Sequence, residues 1–264
     1  MSQSRALSSA FTISVNLHGT SVERRVVSGD RLVGRYAYGK YIVNGTERLL
    51  GLFDKHDIKA TFFVPVREAE LHPSLIDEIG KCGHEIAANG YELEDHSKLG
   101  DKERDVIKRT FDALSSRVGK SVAGWRAPDG LVSERTLGYL AETGFSYDSS
   151  FQDDDHPYVV TDCGRADFAE VPQNEMLMDQ TLFAVRQTHD RVLKNWIEEF
   201  DGLQSEGCYG CLTLHPRPDY GVGRPSRVLM LDQFLEHLKR IRGAVVFKTC
   251  EQAARDACAD MRSQ

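Results

Sequence analysis

The sequence predicts an α/β fold in which parallel strands, each followed by a helix, close into a (β/α)7 distorted TIM-like barrel. Three observations carry that prediction. Short apolar runs alternate with segments of helical periodicity about seven times, the pattern of strands joined by crossover helices. No linker, internal repeat or low-complexity segment interrupts the alternation. The 264 residues suit one domain covering 1–264, and closure fits that length better than an open sheet.

Phe11 to Leu17 reads as the first strand. Glu47 to His56 carries Leu49, Leu50 and Phe53 on one helix face. Ala60 to Val66 is the second strand, and Pro73 opens a helix that Gly83 closes. Glu85 to Ala88 is a short third strand. In the helix from Asp101 to Val118, residues Ile107, Phe111, Leu114 and Val118 recur at helical spacing. Ala123 to Ala127 is the fourth strand. Ser133 caps a helix that Gly144 ends. Phe145 to Tyr147 begins the fifth strand and Ala169 to Pro172 the sixth. Trp196, Ile197, Phe200 and Leu203 mark a helix, Cys208 to Leu214 the seventh strand, and Leu231 to Ile241 a further helix. Ala244 to Lys248 is a last strand before a terminal helix. Between Gly19 and Gly45 no element is evident. So long a connection is usually functional, and its Tyr36, Tyr38, Tyr41, Arg31 and Arg35 suit a cover over a pocket.

Composition excludes several classes. With 33 basic and 40 acidic residues, a net charge of -7 and no basic run, the footprint of a nucleic-acid binder is missing. No stretch approaches the ~20 apolar residues of a membrane span, and the first residues lack the apolar core of a secretory signal. A cytoplasmic location is therefore expected, with the six cysteines reduced. Cys208 and Cys211 lie within a strand-like run and lack the second pair a zinc site needs. Asn44-Gly-Thr46 has the form of a glycosylation acceptor but is idle in that compartment.

Barrel enzymes carry their active sites at the C-terminal ends of the strands. There the sequence puts Asn16 and His18 after strand one, Asn89 and Tyr91 after strand three, and Arg126 and Pro128 after strand four. Asp148 ends strand five, and His215 follows strand seven. Two histidines, two amides, an arginine and a carboxylate thus converge on one rim.

In order along the chain, SVNLHG, GHEIAANGYELEDH, Arg126-Ala-Pro128-Asp-Gly130, YDSSFQDDDHPY and LTLHP followed by GRPSRVLML resemble the five motifs of the polysaccharide deacetylase (NodB-homology) superfamily. The YDSS and GRPSR pieces are similar to its cytoplasmic branch of cyclic imide hydrolases and allantoinase-like proteins. The resemblance covers nearly the whole chain. It implies a NodB-type barrel, a small-molecule substrate, and a homo-oligomer (dimer or tetramer).

The departures are as informative. Metal-dependent relatives supply a base aspartate, a metal aspartate and two metal histidines; the matching positions here hold Asn16, His18, Asn89 and Leu93. Leucine offers no electron pair and a neutral amide is a poor ligand for a transition metal. The expectation is therefore no cofactor and a metal-independent hydrolase of a C–N bond in a small cyclic amide, imide or ureide. His18, His215, Asn16 and Arg126 are the expected catalytic set, with one histidine activating water and the other protonating the leaving nitrogen, in either order. Asn89, Tyr91, Leu93, Pro128 and Tyr38 are expected to line the substrate, and Glu170 to Phe183 to shape the pocket. Arg126 is expected to position a polar group or bind a substrate carboxylate or carbonyl. Three alternatives remain open: a metal-dependent N-deacetylase of an acetamido sugar, a different chemistry on a small ring, and a non-catalytic binding protein; separately, a non-standard metal site would use His18 with His96 or His84.

Overall fold

In a computed structural model of the chain, residues 9–26, 33–240 and 245–263 are described. The strands are β1 (Ser9–Asn16), β2 (Thr61–Val64), β3 (Glu85–Ala88), β4 (Gly124–Trp125), β5 (Tyr147–Asp148), β6 (Tyr158–Val159), β7 (Ala169–Glu170), β8 (Gly210–Leu214) and β9 (Val245–Lys248). They form one curled sheet in the order β6-β7-β5-β4-β3-β2-β1-β8, with β9 added to β1. Every pairing is parallel except β6 with β7.

The expected closed (β/α)7 barrel is met only in part. Among the described residues the ladder is an open path. The interval between β7 and β8 is crossed by the single bridge Met178–Thr213. β1 is the hub, because β8 takes one edge along Phe11–Val15 while β9 and β2 share the other, end to end. The Cys250 amide donates to Thr61 Oγ1 (2.8 Å) across that junction. Its residues Phe11, Ile13 and Val15 are at most 2% exposed, facing a shell of helices. Phe11 meets Phe200, Phe234 and Phe247 edge-on or tilted. Alternate β1 residues face a polar interior, where Thr12 bonds Tyr209 (2.5 Å) and Ser14 bonds Thr213 (3.0 Å).

The helices are α1 (Thr20–Val26), α2 (Val33–Lys40), α3 (Ile42–His56), α4 (Val66–Leu71), α5 (Pro73–Lys81), α6 (Glu103–Val118), α7 (Thr136–Thr143), α8 (Asp179–Ala184), α9 (His189–Glu206), α10 (Pro225–Arg240) and α11 (Cys250–Ser263). The connection after β1, read from sequence as structureless, contains α1 and α2; their few apolar residues give too short a periodic signal. Residues 27–32, which include Arg31, lie outside the described residues. α1 is held by buried charge. Arg217, beyond β8, donates to Glu23 Oε1 (2.6 Å) and to the Gly19 carbonyl (3.1 Å), with both charged side chains fully buried. Glu68 of α4 accepts from the backbone and hydroxyl of Ser21 at 2.7 and 2.6 Å.

Candidate active site

Four of the expected residues meet at the C-terminal ends of β1, β3 and β4. Asn16, His18, Asn89 and Arg126 line one cavity of about 380 Å³. The curl of the sheet brings these strand ends together, since successive parallel strands all point the same way. Gln173 and Gln180, from the expected Glu170–Phe183 region, and Gln152 add further amides to the wall, beside the carboxylates of Asp129 and Glu175.

Hydrogen bonds orient each polar group. Arg126 donates from Nε to the Ser149 carbonyl (2.9 Å), from Nη2 to Ser149 Oγ (2.8 Å), and from Nη1 to Ser14 Oγ (3.0 Å) and Asn16 Oδ1 (2.9 Å). Its guanidinium also stacks 3.9 Å above the Phe63 ring. Most of its donors are thus engaged by protein, and its strongest effect on the cavity is to hold Asn16. With Oδ1 of Asn16 accepting, Nδ2 faces His215 Nε2 at 3.2 Å. The other face of His215 meets Asp179, Nδ1 to Oδ1 at 2.6 Å, and neither side chain is exposed. Asp179 Oδ2 accepts the backbone N–H groups of His215 (2.7 Å) and Val222 (3.0 Å). A relay Asp179–His215–Asn16–Arg126 results, in which His215 carries its proton on Nδ1 and accepts from Asn16 at Nε2.

His18 is the histidine that faces the cavity. Asn89 Nδ2 donates to the Arg126 carbonyl (2.9 Å), which turns Asn89 Oδ1 toward His18 Nε2 at 2.9 Å. His18 therefore bears its proton on Nε2, leaving the Nδ1 lone pair 3.5 Å from the Tyr220 hydroxyl. Burial, then the neighbouring His215, push its pKa well below the ordinary 6.5, with Arg217 and Arg126 adding to the effect. The two imidazoles are 4.9 Å apart, centre to centre.

The remaining expected residues divide. Leu93 and Pro128 border a smaller cavity that also reaches His18. Tyr91 and Tyr38 are not brought into either space. Gly90 turns the chain at φ +71, so the Tyr91 ring lies under Arg109 and its hydroxyl donates to Glu70 Oε1 (2.8 Å). Tyr38 is 40% exposed on α2. Asp148 is buried behind the site, paired in register with Glu170. His96 and His84 lie outside both cavity walls, His96 edge-on against Trp125 and His84 accepting the Ala60 amide (3.0 Å). Sequence reasoning missed Asp179, Arg217 and Tyr220. Tyr220 and Arg217 follow the LTLHP strand end and were within its reach. Asp179 sits 36 residues from its histidine and carries no local signature.

The donor set does not suit the divalent metal that the deacetylase motifs imply. Of Asn16, His18, Asn89 and Leu93, only His18 is a good ligand, and its Nε2 is occupied by Asn89. Among the described residues, His56, Asp232 and Glu236 are close enough to share an ion. They lie on α3 and α10, with Lys55 bonded to Asp232 at 2.7 Å.

The polysaccharide deacetylase family model matches residues 36–147. A solved structure of a candidate polysaccharide deacetylase from Mycobacterium smegmatis is 28% identical, with a TM-score of 0.85 over 99% of this chain and 94% of that one. The match supports the polysaccharide deacetylase superfamily. The peptidoglycan deacetylase of Helicobacter pylori is 28% identical over 75% of this chain and 79% of its own length. A solved allantoinase, 24% identical, shares the fold at a TM-score of 0.85 over 97% of this chain and 92% of its own. Set against the superfamily's motifs, the chain has the arginine of the third motif and the histidine after β8. Its first two motifs carry amides and a leucine.

Proposed function

We propose that this protein hydrolyses a C–N bond of a small cyclic amide, imide or ureide without a bound metal. The observation that carries the reading is that the positions matching the metal ligands hold His18, Asn89 and Leu93 and the position matching the base aspartate holds Asn16, with His18 bonded to Asn89, and Asn16, His18 and Asn89 all facing a cavity of about 380 Å³. Amides that offer both N–H and C=O match the alternating donors and acceptors of such a ring. Ring strain and a second carbonyl make its carbonyl carbon more reactive than that of an acetamido group.

His18 acts as the acid–base group. Held neutral by burial, it takes a proton from water at Nδ1 as the water oxygen bonds to the ring carbonyl carbon. The C–N bond then breaks, and the imidazolium returns the proton to the departing nitrogen. The low pKa makes that imidazolium a strong acid, suited to a poor leaving group. The Asn16 Nδ2 proton not directed at His215 stabilises the developing oxyanion. His215, Asp179 and Arg126 act as positioning residues through Asn16. The resemblance to the allantoinase-like branch extends the reading to a homo-oligomer of the cytoplasm. No helix among the described residues is long and apolar enough to cross a membrane.

The test is turnover of succinimide, glutarimide, hydantoin and allantoin by the purified protein, with and without a chelator, alongside metal analysis. Ring opening insensitive to chelation, with far less than one metal per chain, is expected. Chelator-abolished release of acetate from an N-acetylglucosamine oligomer, with no ring opened, would overturn the reading.

A further inference from the structure

A second cavity, of about 230 Å³, shares His18, Asp129 and Gln180 with the first. Its own walls are largely carbon: Val22 of α1, Leu93, Pro128 and Tyr220. Among the described residues the one cation that borders it, Arg25, is paired with Asp129 across the same space, so none of them offers a free positive charge to an anion. Leu93 is 2% exposed and adopts φ +64. A bulky buried residue keeps that left-handed conformation only where its surroundings over-determine it. The two spaces meet at His18, whose Nδ1 has the Tyr220 hydroxyl of the chamber wall 3.5 Å away.

We propose that this side chamber is a specificity subsite that receives an apolar substituent carried by the substrate ring, with Val22 and Leu93 as specificity-determining residues. The inference rests on the proposed cyclic-amide reading. A ring in the amide-lined cavity places its reacting carbonyl at His18, and a group on the adjacent ring carbon points into the chamber. A cavity of roughly 150 Å³ walled by aliphatic carbon accepts a benzene, so there is room for a branched alkyl or phenyl group. The ligand class is therefore a neutral ring with one apolar branch.

The experiment compares hydantoin with 5-isobutylhydantoin, by calorimetric binding and by turnover, in the wild type, Val22→Phe and Val22→Ala. The wild type is expected to favour the branched ring by ~10-fold or more, as one or more methylenes in an apolar pocket do. Val22→Phe, which fills the chamber, is expected to erase that preference. Val22→Ala, which enlarges it and serves if the larger residue prevents folding, is expected to move the preference toward 5-benzylhydantoin. Equal binding of the two rings by the wild type, or a preference unchanged in both variants, overturns the subsite whatever the turnover. Preferential binding without ring opening keeps the subsite and removes the proposed hydrolysis. No binding of either ring overturns both.

Discussion

His18 and Asp179 have different chemistry although both are buried beside the same imidazole. Desolvation holds His18 neutral, its pKa well below 6.5, so its lone pair is available throughout the neutral range. The rate should therefore lose its base only on the acid side: a profile of kcat/KM against pH is expected to stay level from pH 8 down to 6.5 and to fall below that. An acid limb centred above 6.5 would place the base elsewhere. His18→Ala should lower kcat by ~10²–10⁴-fold in the same assay. Asp179 accepts three donors, the His215 imidazole and the amides of His215 and Val222. Asparagine in its place presents an NH2 group to one of them, leaving facing donors with no water to satisfy either. Asp179→Asn should cost about 1–3 kcal/mol, read as a lower urea midpoint, and should reduce kcat by loosening Asn16.

Among elements, α1 is the piece that tertiary contacts alone secure. Seven residues cannot hold a helix in water; the buried Arg217–Glu23 pair and the Glu68–Ser21 bonds do so here. Removing one partner of a buried pair leaves an uncompensated charge. Glu23→Ala is accordingly expected to destabilise by about 3 kcal/mol, toward the lower end of such losses because Asp219 still accepts from Arg217. Circular-dichroism melting of the variant checks it. Between β5 and β7 the opposite problem arises. Asp148 and Glu170 are fully buried in register; burial raises Asp148 to about 6, and burial together with the Asp148 charge raises Glu170 well above its usual range. Raised carboxyl pKa values mean that the folded state binds more protons than the unfolded one. Their stabilising share is thus present at low pH and lost as pH rises through about 6. Glu170→Gln supplies a permanent donor to Asp148 and keeps an acceptor for the Phe151 amide. It should stabilise the protein at pH 8 by about 1–3 kcal/mol and do little at pH 5, a difference that denaturation at the two pH values would reveal.

For the molecule as a whole, buried neutral histidines set the acid side of the stability curve. Desolvation lowers His18, His96 and His84, the last to about 4. Each binds a proton more readily when unfolded, so stability should decline as pH falls from 6.5 toward about 4. The carboxyl pair opposes this over much of the same interval, losing its share as pH rises through about 6 and, for Glu170, beyond. Glu170→Gln, which removes that opposition, should therefore steepen the fall of the urea midpoint from pH 6.5 to about 4; an unchanged slope would contradict that balance. Most of the strand and helix order, the run of motifs and the convergence of Asn16, His18, Asn89 and Arg126 were legible in the amino acids; α1, α2, α4, α8 and β6 were not. Periodicity assigns elements, and parallel strands deliver their C-terminal ends to one rim. The apolar and amide character of the former ligand positions was equally plain. What the tertiary structure decided was direction and partnership. The turn at Gly90 sends Tyr91 outward and leaves Leu93 inward, which no local pattern encodes. Asp179 finds His215, and Glu23 finds Arg217, across 36 and 194 residues. The β7–β8 interval is left to the single Met178–Thr213 bridge, because ring closure depends on how far the whole sheet curls. Chain order determines which groups reach the rim; only packing determines which of them faces the cavity and which stands behind to hold it.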